Sequence, residues 1–223
     1  MPGISKIIPP PVIRRMTQYL AFVRSQLSNG VDHVTSQQIA GELGLTSSTV
    51  RQDFSHLDLH GVSKLGYNTY RLVQTLQKAL GTDRAARVAI VGAGNLGRAL
   101  ALYGGFEREG FNICAIFDCD CRVVGGKIGR LTVRPITALA STLAKEKIEI
   151  GVIAVPESSA QEVADALVAA GVKGLLNLSP ARLRAPKNVM SVDVRILSCF
   201  QELLCRMRLQ SEPGDASSHG RSA

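Results

Sequence analysis

The stretch Val88-Ala89-Ile90-Val91-Gly92-Ala93-Gly94-Asn95-Leu96-Gly97 decides how this chain folds. Its first four residues are small or β-branched and apolar, which predicts a strand buried on both faces. A G-x-G-x-x-G pattern follows at once, and residues 96–108 then read as a helix. Such glycines have separate duties: Gly92 makes the turn, Gly94 lets a pyrophosphate approach the backbone, and Gly97 lets the helix pack close to the sheet. The helix start offers free N–H groups to the phosphates. The glycines alone are a weak signal, but strand and helix flank them here. A second strand, Ile113–Phe117, runs into Asp118 about twenty residues after the last glycine, where dinucleotide folds place a ribose-binding carboxylate. Asp118 is expected to bond the ribose diol and to repel a 2′-phosphate, which favours NADH and NAD+ over their phosphorylated forms. Arg122 pulls slightly the other way. Gly92, Ala93, Gly94, Asn95, Leu96, Gly97 and Asp118 thus form the expected cofactor site.

Downstream the texture keeps alternating. Thr132–Val133 reads as an edge strand, 137–145 as a helix, Ile150–Val155 as a strand, Ser158–Ala170 as a helix and Gly174–Leu178 as a strand. Alternation of this kind predicts a parallel sheet with helices on both faces. Ligands bind at the carboxyl ends of such strands. Val155 and Pro156 after one strand, and Asn177 before Pro180 after the next, are therefore candidates for the nicotinamide side. Equally, both prolines could simply end their strands. Residues 199–208 (CFQELLCRMR) suggest a last amphipathic helix. From Ser211 the tail is Ser/Gly/Asp-rich and expected to be disordered.

Upstream the pattern is helical. Residues 1–11 carry four prolines and are expected to be loose, with Pro11 suited to a first helical turn. From Val12 to Ser28, Ile13, Met16, Tyr19, Leu20, Val23 and Leu27 recur at helical spacing, and Asn29-Gly30 is a stop. A second helix is capped by Thr35 or Ser36 and ends at Gly44. A third, capped by Thr46 or Ser47, covers roughly 47–57. Ala40 is small where the two helices cross, Gly44 permits the tight turn, and Val50 closes the packing. Gly61 to Tyr67 reads as a β-hairpin wing and 71–80 as a helix, with a domain boundary at Gly81-Thr82-Asp83. The third helix would turn Ser47, Ser48, Arg51, Gln52 and Ser55 outward. Arg reads guanine bidentately, Gln reads adenine, and hydroxyls hold phosphate. Thr46, Lys64 and Tyr67 complete the expected surface for double-stranded DNA. A helical hairpin that binds no DNA is the alternative. Asp53 stands out in the recognition helix: it either fixes Arg51 or packs at the domain surface.

The bulk numbers agree. Net charge is +8 over 223 residues. Residues 1–87 hold ten basic and five acidic groups, and the longer remainder sixteen and thirteen. The positive density favouring an anionic partner therefore lies N-terminal. Five cysteines (Cys114, Cys119, Cys121, Cys199, Cys205) and no secretion signal argue against a disulfide framework. Cys119 and Cys121 read as reduced loop thiols rather than metal ligands, so no metal is expected. No apolar run is long enough to span a membrane, and a soluble cytoplasmic protein is expected. His33, His56, His60 and His219 all lie outside the Rossmann half. A hydride-transfer enzyme needs a proton donor there, so catalysis is not expected and sensing is. A small NAD-dependent oxidoreductase and a CoA-binding regulator remain as alternatives, the latter because Val155 to Asn177 also resembles CoA-binding domains.

Taken together, these motifs resemble the bacterial redox-sensing repressor family Rex over about residues 4–208. The resemblance rests on Ile8-Pro9 through Arg15-Met16-Thr17-Gln18-Tyr19-Leu20, Val50-Arg51-Gln52-Asp53-Phe54-Ser55 and Gly66-Tyr67. Further along it rests on Gly92–Gly97, Tyr103-Gly104-Gly105-Phe106, Phe117-Asp118, Val155-Pro156 and the run from Ala169 to Asn177. It implies an α/β chain: an N-terminal winged helix-turn-helix domain (1–83), a Rossmann-type parallel sheet domain (84–196), a C-terminal helix (197–210) swapped between subunits of a homodimer, and a tail (211–223). It also implies a repressor whose operator DNA is released by NADH, with NAD+ competing weakly. An allosteric switch of Arg15, Tyr103 and Asp193 comes with the same resemblance. The chain departs from the family pattern at Gln52, at Ser63-Lys64 and at Val194.

Overall fold

The computed structural model describes residues 8–57, 59 and 61–210. The tail, His60, His219 and the first seven residues of the proline-rich opening lie outside the described residues. The chain forms two compact units. One holds the residues up to Ala86 together with Glu107–Phe111; the other holds Arg87–Phe106 and the residues from Asn112 onward.

The first unit opens with α1 (Pro10–Ser28), whose prolines occupy the first turn, where a missing N–H costs no hydrogen bond. Its inward stripe is Val12, Met16, Tyr19, Leu20 and Val23; Ile13 and Leu27, expected inside, face outward. Then come β1 (His33–Val34), α2 (Ser36–Leu43) and α3 (Ser47–Phe54). Thr35 caps α2 in a reciprocal box with Gln38: its Oγ1 accepts from the Gln38 N–H, and the Gln38 side chain accepts from the Thr35 N–H. Gly44 ends α2 in the left-handed region (φ 64°), and Ala40 and Val50 are buried where α2 meets α3. The helix-turn-helix is thus built as its spacing predicts, although α3 stops at Phe54 rather than near 57.

The wing is a minimal hairpin. Val62 and Gly66 form one antiparallel bridge, exchanging N–H···O bonds of 2.7 and 2.8 Å around residues 63–65, and β2 (Tyr67–Asn68) then pairs antiparallel with β1. Gly66 explains the route. Its φ is +90°, and an added Cβ would lie 2.4 Å from the Val34 carbonyl oxygen, so only glycine brings the chain this close to β1. The helix α4 (Thr69–Leu80), capped by Asn68, closes a core of Met16, Tyr19, Val23, Ile39, Phe54, Leu72 and Leu76.

The second unit is built on a sheet of β3 (Ala86–Val91), β4 (Phe111–Asp118), β5 (Lys127–Ile128), β6 (Leu131–Pro135), β7 (Ile150–Ile153), β8 (Gly174–Asn177) and β9 (Met190–Asp193). Their order is β5-β6-β4-β3-β7-β8-β9. The pairs β4–β6, β3–β7, β7–β8 and β8–β9 are parallel, and β5 runs antiparallel to β6. Thr132–Val133 is therefore not at the edge as expected: β5 covers it. The crossovers are α5 (Asn95–Leu102), α6 (Gly105–Arg108), α7 (Leu139–Glu146) and α8 (Glu157–Ala169). The single helix expected over 96–108 breaks at Tyr103, whose backbone is extended, and Gly104. Val91, Phe117, Leu143, Ile153, Ala164 and Leu167 lie at the centre of this core. Gly151 lets α8 sit on β7, because a Cβ there would come within 2.7 Å of the Leu167 side chain. After β9 the chain ends its described part in α9 (Ile196–Gln210).

Candidate nucleotide site and DNA interface

The sheet reverses its winding beside β3, and the carboxyl ends of four strands meet there. Backbone bonds tie them into one rim. The Gly92 N–H donates to the Phe117 carbonyl at 2.8 Å, Ala154 N–H to Val91 at 2.8 Å, and Leu178 N–H to Ile153 at 2.9 Å. Along this rim lie Gly92–Gly97, Asp118, Val155, Pro156 and Asn177.

The three glycines of the fingerprint differ in kind. Gly92 has φ +106°, and a Cβ would stand 2.3 Å from the Ala154 carbonyl oxygen. At Gly97 a Cβ would stand 1.9 Å from the Gly92 carbonyl oxygen. These two close the loop onto β7 and onto the start of α5. Gly94 is exposed, and a Cβ there would meet nothing within 4 Å. Its bareness serves no internal packing, which suits a surface kept open for something outside the chain. Gly94 is also the N-cap of α5, with no side chain bonded to the first turn. The N–H groups of that turn remain available to an anion.

Asp118 ends β4 facing this loop. Its Oδ2 accepts from the Ala93 N–H at 2.7 Å, and its Oδ1 from the Asp120 N–H at 2.9 Å. Each oxygen keeps a second lone pair for a hydroxyl donor. Nearby Arg122 is committed to Asp120, whose carboxyl it holds down at about 2. Asn177 is fully buried and faces inward. Its Nδ2 donates to the Ala181 carbonyl and to Asp193 Oδ1, both at 2.8 Å, while its Oδ1 accepts from the Ser179 N–H and hydroxyl. Its amide is spent on building the turn and joining β8 to β9, so it shapes the rim rather than offering a free group. Asp193 also meets Arg195 at 3.5 Å. Tyr103 is exposed, edge-on to Phe106. Among the described residues no cluster of His, Cys, Asp and Glu could hold a metal ion. All five cysteines are unpaired, and burial pushes the Cys114 thiol up.

In the first unit, α3 exposes Ser48, Arg51, Gln52 and Ser55. Arg51 reaches back to the Ser36 hydroxyl at 3.3 Å. Thr46 is the N-cap of α3: its Oγ1 accepts from the Thr49 N–H at 3.1 Å and bonds the Ser48 and Thr49 hydroxyls. Ser55 donates its hydroxyl to the Gln52 carbonyl. Lys64 is exposed at the tip of the wing, with φ +65°. Tyr67 is half-buried against Phe54, ring centroids 5.0 Å apart, and burial raises its pKa.

Asp53 neither fixes Arg51 nor lies at the surface. It is 2% exposed and held from α1 by Arg15 and Tyr19. Burial pushes its carboxyl up, but the bonds from Arg15 and Tyr19 outweigh that and leave it below the ordinary range. Conversely, Tyr19 is raised, first by burial and then by Asp53. Helical spacing carried this signal. Val50, Asp53, Phe54 and Leu57 lie at i, i+3, i+4 and i+7, so Asp53 sits on the apolar stripe. Arg15 and Tyr19, four apart, share one face of α1.

Comparison with known proteins agrees with both halves. Residues 7–55 match a family model described as "Putative DNA-binding protein N-terminus", and residues 83–181 match one described as "CoA binding domain". The redox-sensing transcriptional repressor Rex of Thermosipho africanus is 40% identical over 200 residues, covering 90% of this chain and 96% of that protein. Rex of Carboxydothermus hydrogenoformans is 40% identical over 191 residues, covering 85% and 92%. A crystal structure of RSP, a Rex-family repressor, in complex with NAD+ and operator DNA superposes with a TM-score of 0.87 at 34% identity, covering 92% of this chain and 95% of that one. RSP bound to NADH gives 0.83, with 92% and 97% covered. With its helix-turn-helix, its dinucleotide fingerprint and these relatives, the chain belongs to the Rex family of redox-sensing transcriptional repressors.

Proposed function

We propose that this protein represses transcription by binding operator DNA through its first unit and is released when NADH occupies its second. The observation that carries the reading is the pairing, in one chain, of an outward-facing Arg51-Gln52 on a helix-turn-helix with an uncapped, glycine-lined helix start beside Asp118. RSP, its structural relative, has been crystallised with NADH and with NAD+ plus operator DNA. Gly92–Gly97 cradle the pyrophosphate and Asp118 takes the ribose diol. Val155 and Pro156, on the rim held by Asn177, border the nicotinamide. Arg51 and Gln52 read base edges, and Ser47, Ser48, Ser55 and Lys64 meet the backbone, with Thr46 and Tyr67 bracing them. The CoA-binding match describes the fold of the second unit; a ribose diol suits Asp118 better than the 3′-phosphate of CoA.

The working form is a homodimer in the cytoplasm, and the protein is not an enzyme. In support of the dimer, Ile196, Leu197, Phe200, Leu203, Leu204 and Met207 of α9 are all exposed within one chain. Burying a large apolar side chain is worth about 1.5–3 kcal/mol, so such a helix calls for a cover, as a swapped helix in a dimer would give. Arg15, Tyr103 and Asp193 form the switch: an arginine–carboxylate pair that forms in only one arrangement biases two states.

The test is fluorescence anisotropy of a labelled duplex from the gene's own upstream region, at fixed salt, titrated with NADH and then NAD+. Release by NADH at far lower concentration than NAD+ is expected. DNA binding that ignores both nucleotides but responds to CoA would overturn the cofactor assignment.

A further inference from the structure

Among the described residues of the first unit, Asp53 and its two donors form a buried charge cluster that the proposed DNA contacts leave unused. Arg15 Nε donates to Oδ2 at 2.6 Å and Nη2 to Oδ1 at 2.7 Å, while the Tyr19 hydroxyl donates to Oδ2 at 2.6 Å. The carboxylate is thus gripped by a planar fork and by a third, separate bond. All three come from one face of α1, and all three end on α3.

What else holds α3 is less directional. Val50 and Phe54 are buried and apolar, and the Phe54 ring meets Tyr19 and Tyr67 edge-on, at 5.4 and 5.0 Å. Apolar packing favours burial but tolerates rotation and sliding. A bidentate arginine–carboxylate pair does not, because its two parallel bonds fix both distance and angle. Consecutive residues of a helix point about 100° apart. With Asp53 locked inward, Gln52 points about 100° from the clamp and Arg51 about 200°, away from α1. A roll that freed Asp53 would swing both reading residues off the groove. A buried ion pair is a poor source of net stability, since desolvation offsets its attraction, but it can specify one arrangement.

We propose that Asp53 is the positioning residue of the recognition helix: clamped by Arg15 and Tyr19, it sets the roll of α3 that aims Arg51 and Gln52 together. This rests on the DNA-binding reading above. Compared with a well-packed apolar replacement the clamp adds little net stability, so sequence discrimination is the property that changes most when it is removed.

The experiment uses the full-length protein without nucleotide, so that the cofactor switch does not enter. Wild-type protein first selects duplexes from a random pool. The ratio of its affinity for a selected duplex to that for a scrambled one is then measured at fixed salt, beside a thermal melt. Two variants are compared: Arg15→Met/Tyr19→Phe/Asp53→Leu, which replaces the clamp with apolar groups, and Arg15→Lys, which keeps the charge but loses the fork. The triple variant should melt within a few degrees of wild type yet lose about tenfold or more in discrimination. Its affinity for scrambled duplex should be unchanged. Arg15→Lys should stay folded and lose severalfold, which settles the matter if the triple variant does not fold. A discriminating wild type with an equally discriminating Arg15→Lys or folded triple variant would overturn the inference alone. A wild type that selects nothing would overturn the DNA-binding reading and this inference with it.

Discussion

The helices α3 and α5 begin in opposite ways. At α3 the Thr46 hydroxyl closes the first turn, bonding the Thr49 N–H and two neighbouring hydroxyls. At α5 Gly94 leaves that turn open. Both helices meet phosphate in the proposed function, yet only the second keeps its backbone for the task. A DNA reader gains by having its helix finished and rigid, with side chains doing the contacting. A small-ligand cradle gains by leaving the helix unfinished, so that the ligand supplies the missing cap.

That contrast can be broken by substitution. The largest effect is expected from Gly97→Ala. With 1.9 Å between the new Cβ and the Gly92 carbonyl, the loop must move. Loss of measurable NADH binding and destabilisation of about 3 kcal/mol or more are expected by calorimetry. Gly94→Val comes next. It has room within the chain, so its melt should match wild type while NADH affinity falls about 100-fold and operator binding ceases to respond to NADH. An NADH-responsive Gly94→Val protein would displace the pyrophosphate from this helix. Asp118→Asn should weaken NADH about tenfold by fluorescence titration and leave DNA binding intact, since the glycine loop keeps an acceptor. Smallest is Thr46→Ala, which should cost about 1 kcal/mol of stability, the usual worth of a helix cap, with NADH affinity unchanged.

The clamp beneath α3 adds a pH signature. Asp53 is lowered in the folded protein, so its contribution is present above its ordinary value of 3.8 and is lost as pH falls through the folded value. Tyr19 is raised, so its contribution is present below 10.0 and is lost as pH rises through its own folded value. Melts of wild type should therefore show a plateau between these limits. Asp53→Asn should abolish the acid shoulder and leave most of the alkaline one, because burial is the larger cause of the Tyr19 shift.

Much of this was legible in the sequence, where local chemistry decides the structure. Gly92, Gly94 and Gly97 are placed by turn and contact requirements that act over a few residues, and so are Ala40, Gly44 and Val50. The elements that escaped are held by distant partners. Met190–Asp193 is exposed at all four positions, so it carries no alternation to read; its place is set by pairing with β8, through Asn177 and Asp193. The wing closes on itself at Val62 and Gly66, but its second pairing is invisible to local reading, because the partner of Tyr67–Asn68 lies more than thirty residues back, at His33–Val34. The charge of Asp53 points outward, but its place on the stripe with Val50 and Phe54 points inward, and position prevails because Arg15 and Tyr19 on α1 satisfy the carboxylate. Thr46 and Asn177 also carry internal hydrogen bonds, to Thr49 and to Ala181 and Asp193, and those of Asn177 are ones that its sequence neighbourhood does not reveal.

The interlock of Gly92 with Gly97 also bears on how such a sensor can evolve. Neither residue can acquire a side chain without displacing backbone, the Ala154 carbonyl for Gly92 and the Gly92 carbonyl for Gly97, so this corner of the site is closed to gradual adjustment. Nucleotide preference must then be tuned at neighbours that can vary without collapse. The end of β4 is one, where in the proposed function Asp118 takes the ribose and the exposed Arg122 could be redirected from Asp120 by a single substitution. In this fold the sites of innovation lie around the fingerprint, while the fingerprint itself stays fixed.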